Sequence, residues 1–159
     1  MDCARGFYRE YELSDSQKDQ LLNLDYVYHR SLLFDSRGSQ YFFVKKQPQE
    51  SPEHSLLCWA IAEEIKKHGG KPVVMATVGA DVTVNIGKRT VCFEVETGSN
   101  LESYGEEHVE QKMKERRAAC DRLIVVVTDR KQKGRYERIA RATTITRTEV
   151  PGTVANLFR

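Results

Sequence analysis

Two short stretches alternate polar and apolar residues with a period of two: Asp81, Val82, Thr83, Val84, Asn85, Ile86, and Thr90, Val91, Cys92, Phe93, Glu94, Val95, Glu96. Such alternation builds half-buried strands, because successive side chains point to opposite faces. Gly87 and Lys88 between them suit a two-residue turn with glycine first, which predicts an antiparallel hairpin. That turn sets the register, with Ile86 opposite Arg89, Val84 opposite Val91, Val82 opposite Phe93 and Asp81 opposite Glu94. Val82, Val84, Val91, Phe93 and Val95 then share one face, and Asp81, Glu94 and Glu96 share the other.

Ser51 as a cap, Pro52 at the first helical position and Glu53 as an early acid open a helix that runs to about His68. Leu57, Ile61 and Ile65 recur there at helical spacing, and Gly69-Gly70 is the stop. Residues 72–76 predict a short strand, residues 101–119 a polar helix, and the uninterrupted apolar run 123–127 a buried parallel strand. Strand, helix, strand implies a right-handed crossover. A basic helix over 131–141, a β-branched strand over 143–148 and a short tail follow.

Upstream, Ser and Asp caps open a polar helix at 14–24, and the aromatic runs 26–34 and 41–46 flank a turn at Asp35-Ser36-Arg37-Gly38, which reads as a second hairpin. The best internal boundary is the segment 47–51, with Pro48 and then Pro52. The expectation is an accessory helix and β-hairpin region, 1–50, followed by an α/β domain, 51–159, whose mixed central sheet is flanked by helices.

With 159 residues, 40% of them hydrophobic and 30% charged, the chain can bury one real core. No apolar run approaches the roughly 18 residues that span a bilayer, and the first ten residues lack the apolar centre of a signal peptide. A soluble, cytoplasmic protein with no membrane partner is the expectation. Cys3, Cys58, Cys92 and Cys120 form no CxxC pair and read as reduced, small apolar residues. A net charge of +2 names no partner, but Arg130, Lys131, Lys133, Arg135, Arg138, Arg141 and Arg147 stand against Glu137 alone in the stretch 130–147. That stretch either tracks phosphates or is the solvated face of a helix.

Like charges facing one another across a sheet are destabilising, so Asp81 opposite Glu94 with Glu96 diagonal to it calls for a neutraliser. A hard divalent cation with oxygen ligands is one, and it also activates water and steadies phosphate charge. A proton shared between carboxyls is another. The plain alternative is that Asp81 ends a loop and both glutamates face solvent.

The order of elements, with Gly79-Ala80-Asp81 on the first strand, Phe93-Glu94-Val95-Glu96-Thr97-Gly98 on the second, then a helix and the run from Asp121 through Thr128, resembles the PD-(D/E)xK, or restriction-endonuclease-like, nuclease superfamily. The string EVETG is similar to nuclease-like domains of archaeal and mobile-element ATPases and replication proteins. The resemblance covers residues 51–129, about half the chain. Ala80 replaces the usual proline, and Glu96 replaces the lysine that helps orient the attacking water; some relatives with glutamate in that slot cleave, whereas others with a degraded motif only bind. Lys112 is either a displaced substitute for that lysine or a solvated side chain. Glu53 and His54 stand where relatives often add an acid or histidine, although His54 also shares a stripe with Cys58, Ile61 and Ile65 that suits a buried structural histidine. Glu64 ranks below Glu53, and Trp59 reads as core rather than as a base-stacking platform.

The resemblance implies a metal-dependent DNA endonuclease. Asp81 and Glu94 bind Mg²⁺ or Mn²⁺, Glu96 orients or deprotonates water, Glu53 and His54 extend the catalytic set, and Lys112, Arg130, Lys131, Lys133, Arg135 and Arg138 hold nucleic acid. DNA, a replication or conjugation ATPase and a second copy of the chain are the implied partners. Two rivals are a catalytically inactive nuclease fold that binds nucleic acid and a protein-interaction module of a replication or conjugation assembly.

Overall fold

The computed structural model describes residues 4–34, 37–74 and 79–159. Near the N-terminus, β1 (Phe7–Arg9) is followed by α1 (Asp15–Leu22) and by β2 (Tyr26–Ser31) and β3 (Gln40–Lys45), which pair antiparallel. Ser14 and Gln17 close a capping box that starts α1. β1 adds to the far edge of β3, giving the order β1-β3-β2. This third strand was not expected. It is only three residues long, and its partner lies more than thirty positions away. Asp35 and Ser36 of the expected turn lie outside the described residues.

α2 (Pro52–Lys67) begins as expected, with Ser51 Oγ accepting from the His54 amide at 3.2 Å, and ends before Gly69, which has φ of 82°. It is buried on two sides. Leu56 and Ala60 meet Phe7, Phe42 and Val44 of the N-terminal sheet, whereas Leu57, Cys58, Ile61 and Ile65 meet the central sheet. Apolar packing therefore continues from the first fifty residues onto α2. Trp59 lies on the N-terminal side, where its ring fills the space that only a glycine at position 6 leaves, and its Nε1 donates to the Lys45 carbonyl at 3.3 Å.

The central sheet contains β4 (Val73–Val74), β5 (Val82–Ile86), β6 (Arg89–Glu96), β7 (Arg122–Val127) and β8 (Thr143–Thr146), in that spatial order. β4, β5 and β6 run antiparallel, and β6, β7 and β8 run parallel, so the chain is α/β with a mixed sheet flanked by helices. Met75 and Ala76 of the expected first strand lie outside the described residues. The β5–β6 register is the one the turn dictates, from Ile86 opposite Arg89 to Val82 opposite Phe93, and Gly87 takes the left-handed φ of 61° that the turn demands.

α3 (Ser99–Ala118) and α4 (Lys133–Ala140) connect the parallel strands and cover one face of the sheet; α2 and α5 (Val150–Leu157) cover the other. α3 is interrupted at Gly105, whose φ of 83° and ψ of 176° are not helical. α5 replaces the expected tail: Val150 and Val154 are fully buried against α2 and the sheet, and the strand before it stops at Thr146. Among the described residues no helix is long and apolar enough to cross a membrane.

Candidate functional site

Asp81 comes next in line after the last β5–β6 pair, but it stands just before β5 rather than in it. Gly79, at φ of 93°, turns the chain into this position. The Asp81 carboxylate bends across to β6, where Oδ2 accepts from the Val95 amide at 2.7 Å and lies 3.1 Å from His54 Nε2. The expected cross-strand placement beside Glu94 thus takes the form of a side chain capping the end of the ladder.

Glu94 and Glu96 point to the face covered by α3 and α4 and are each 1% exposed, so the solvent-facing alternative fails. Alternation on β6 puts them there, and α3 supplies the counter-charge. Lys112 Nζ lies 2.6 Å from Glu94 Oε1 and 2.8 Å from Glu96 Oε1. Tyr136 on α4 donates to the other Glu96 oxygen at 3.1 Å. Arg116, one turn beyond Lys112, brings Nε to 3.4 Å from Glu94 Oε2, but the alignment is poor and neither atom has a hydrogen-bond partner among the described residues.

The electrostatics follow from this crowding. Burial and then the Asp81 charge push Glu94 up to about 7, against the pull of Lys112 and Arg116. Burial works against the charged form of Lys112, yet the two glutamates hold its pKa above the ordinary lysine range. Tyr136 is raised by burial and by Glu96.

His54 on α2 completes the cluster. Its Nδ1 lies 3.2 Å from Glu50 and 3.7 Å from the Cys58 sulfur, and its Nε2 faces Asp81. Burial lowers its pKa, but the hydrogen bond and charge of Asp81, helped by Glu50 and Glu94, win and raise it. Cys58 is pushed well above the ordinary thiol value by burial and by Asp81, Glu94 and Glu50. One ligand atom each from His54, Cys58 and Asp81 lies within 4.8 Å of the others. A polar cleft of about 480 Å³ opens onto His54, Asp81 and Lys112, with Gln49, Asn100 and Tyr104 on its walls.

Other expected site residues are engaged elsewhere. Glu53, although adjacent to His54, points off α2 in another direction and binds His29 Nε2 and Arg147, each at 2.8 Å. It is a link between the N-terminal sheet and the end of β8, not part of the cluster. Glu64 pairs with Lys67 at 2.7 Å near the far end of α2. Glu96 has one oxygen bonded to Lys112 and the other to Tyr136, and it is not in the lining of the cleft, so its contacts are those of a residue that positions Lys112. Lys112, expected on nucleic acid, is bonded to two carboxylates and also lines the cleft.

The basic stretch is largely matched. Arg135 and Arg138 share Glu106 at 2.8 and 3.2 Å, Arg141 lies 3.5 Å from Glu110, and Lys133 bonds Glu149 at 3.0 Å. Arg130 and Lys131 sit in a 3-10 turn before α4, away from acids that pair with their side chains among the described residues. Three site residues escaped the sequence reading. Arg116 lies four positions from Lys112 on the same helix, so helical spacing could have found it; Glu50 precedes the Ser51 cap of α2, and nothing in the sequence marks it or Tyr136.

No protein-family profile and no curated protein matches the chain. A solved structure with some similarity of shape is that of protein VC1899 from Vibrio cholerae, at a TM-score of 0.44 and 12% identity over 98% of this chain and 46% of that one. The chain thus spans less than half the length of that protein.

Proposed function

We propose that the chain is a metal-dependent nuclease that hydrolyses DNA phosphodiester bonds, with Asp81 and Glu94 as ligands of Mg²⁺ or Mn²⁺, in line with its resemblance to the PD-(D/E)xK superfamily. One observation carries the reading: Glu94 is buried within reach of the Asp81 charge, and its Oε2 completes no hydrogen bond among the described residues. Carboxylate oxygens fit a hard divalent cation. A softer set through Cys58 fits less well, because burial and three carboxylates keep that sulfur protonated. When bound, the cation supplies countercharge for the phosphate and a lowered pKa for water.

The chain's own groups do the remainder. Lys112, held in place by Glu96, presents its ammonium on the cleft wall, where it meets phosphate charge. His54, between Glu50 and Asp81, has its charged form favoured by their carboxylates, which suits it to give a proton to a leaving oxygen. A binding-only role draws less support, since Glu106, Glu110 and Glu149 already occupy much of the basic stretch.

The test is cleavage of plasmid, single-stranded, flap and junction DNA by the purified chain with Mn²⁺. Cutting is expected, and Glu94→Gln is expected to abolish it while leaving DNA binding largely intact. Binding without cleavage of any substrate would favour the inactive-fold rival; neither binding nor cleavage would favour a protein-interaction module.

A further inference from the structure

The nuclease reading leaves one reactive side chain of the cluster unused. Cys58 is fully buried, yet its sulfur does not face hydrocarbon alone: it lies 3.7 Å from His54 Nδ1 and 4.0 Å from His54 Nε2. The two residues stand four apart on α2, a spacing that stacks side chains on one helical face and lets a helix supply two ligands to one metal. Asp81, just ahead of β5, brings Oδ2 to 3.1 Å from His54 Nε2. One ligand atom from each of the three lies within 4.8 Å of the other two. Ligand atoms around a four-coordinate zinc, with bonds of about 2.0–2.3 Å, stand about 3.3–3.8 Å apart, so the three side chains have about 1 Å or less to adjust. His54 and Asp81 line the polar cleft and give a cation its way in, with the fourth position left open on that side.

The donor set separates this cation from the one assigned to the carboxylate pair. Hard cations take oxygen ligands, whereas thiolate and imidazole select zinc and its softer neighbours. The proton that burial and the neighbouring carboxylates keep on Cys58 deters a hard cation but not a thiophilic one, whose bond to sulfur displaces it. On binding, the metal–sulfur and metal–nitrogen bonds form, and the thiol proton and any proton on His54 Nε2 pass to solvent. Asp81 is common to both sets. Drawing its carboxylate towards His54 and Cys58 takes it from the ion it would share with Glu94.

We propose that His54, Cys58 and Asp81 form a site for a thiophilic divalent cation of the zinc class, and that filling it withdraws Asp81 from the Mg²⁺ or Mn²⁺ site and switches that site off. The thiolate site stands on its three side chains alone; the switch rests on the metal-dependent reading of Asp81 and Glu94 and adds to it a regulator.

Titration of the whole metal-free chain with Co²⁺, a coloured stand-in for zinc, tests it. One equivalent should bring up a near-ultraviolet thiolate-to-cobalt charge-transfer band together with the strong visible bands of a four-coordinate ion, and one equivalent of Zn²⁺ should bleach both. Cys58→Ser and Cys58→Ala should each lose the charge-transfer band, and His54→Gln should weaken Co²⁺ tenfold or more. Saturating Mg²⁺, which is colourless, should weaken Co²⁺ binding to the parent tenfold or more through Asp81. In the Mn²⁺ cleavage assay one equivalent of Zn²⁺ should stop the parent, and Cys58→Ala should need at least tenfold more. No charge-transfer band at millimolar Co²⁺, or a band that survives in both Cys58 variants, would overturn the site; Co²⁺ binding indifferent to Mg²⁺, or cleavage undiminished by Zn²⁺, would overturn the switch. The two readings fail separately. A cobalt–thiolate band in a chain that cleaves nothing removes the nuclease and keeps the site; Mn²⁺-dependent cleavage with no band does the opposite.

Discussion

The two faces of β6 take consecutive residues of one strand into opposite environments. Val91, Phe93 and Val95 enter an aliphatic layer with α2 and α5, whereas Glu94 and Glu96 enter the layer under α3 and α4 and are as fully buried. The first face is held by area removed from water and by close packing, which do not depend on pH or salt. The second is held by Lys112, Arg116 and Tyr136 closing on two carboxylates, and it is left incomplete at Glu94 Oε2. Buried ion pairs seldom repay their desolvation well enough to be explained by stability alone. The contrast teaches where to look for function: the face whose polar groups are costly and not fully matched.

The largest effect expected is from Lys112→Met, which leaves two buried glutamates facing one poorly aligned arginine. A loss of about 3–5 kcal/mol at pH 8 is expected from removing one partner of a buried pair, read from urea unfolding. The loss should shrink at lower pH. Glu94 in the parent is raised from 4.5 to about 7, so between those values the folded chain keeps a proton that the unfolded chain has released. The stability this contributes is fully present below pH 4.5 and is lost as pH rises through 7. Without Lys112 the carboxyl rises further and the window widens, so a variant equally destabilised at pH 5 and pH 8 would break the comparison.

Phe93→Ala, on the opposite face at the adjacent position, should cost about 3–4 kcal/mol through lost transfer and cavity terms. Unlike Lys112→Met, it should cost the same at pH 5 and pH 8. Circular dichroism melts of the two variants across that range sharpen the contrast, because the losses come from neighbouring residues and only one should follow proton uptake.

The smallest effect is expected from Arg135→Gln with Arg138→Gln. Both side chains are more than half exposed and share one acid, so the double change should alter stability by less than about 0.5 kcal/mol. Because Glu106 already neutralises part of their charge, the salt dependence of DNA binding should fall by less than the two units of slope that two free phosphate contacts would give. A slope reduced by about two units, measured by fluorescence anisotropy, would restore the basic stretch as the main DNA surface.

The sequence made the hairpin legible in detail, because a two-residue turn leaves the strands a single register and alternation then assigns each side chain to a face. Asp81, Glu94 and Glu96 were reachable for the same reason, whereas His54 and Lys112 were reached only through the family resemblance. Their partners were less so. Glu53 and His54 are adjacent, and only the roughly 100° between successive helical residues decides that one meets His29 and Arg147 while the other meets Asp81. Lys112 returns to Glu96 across sixteen positions, an approach fixed by how α3 crosses the sheet. β1 and α5 lacked a local signal, being a three-residue strand completed by distant pairing and a short helix that contains both Pro151 and Gly152.

The central claim is that Asp81 and Glu94 jointly hold a divalent cation, and anomalous scattering from crystals soaked in Mn²⁺ tests it most directly. The account predicts a peak about 2.1 Å from an oxygen of each carboxylate, with Lys112 displaced from Glu94, and no such peak in Asp81→Asn. A peak confined to His54, Cys58 and Asp81, or none at saturating Mn²⁺, would contradict it.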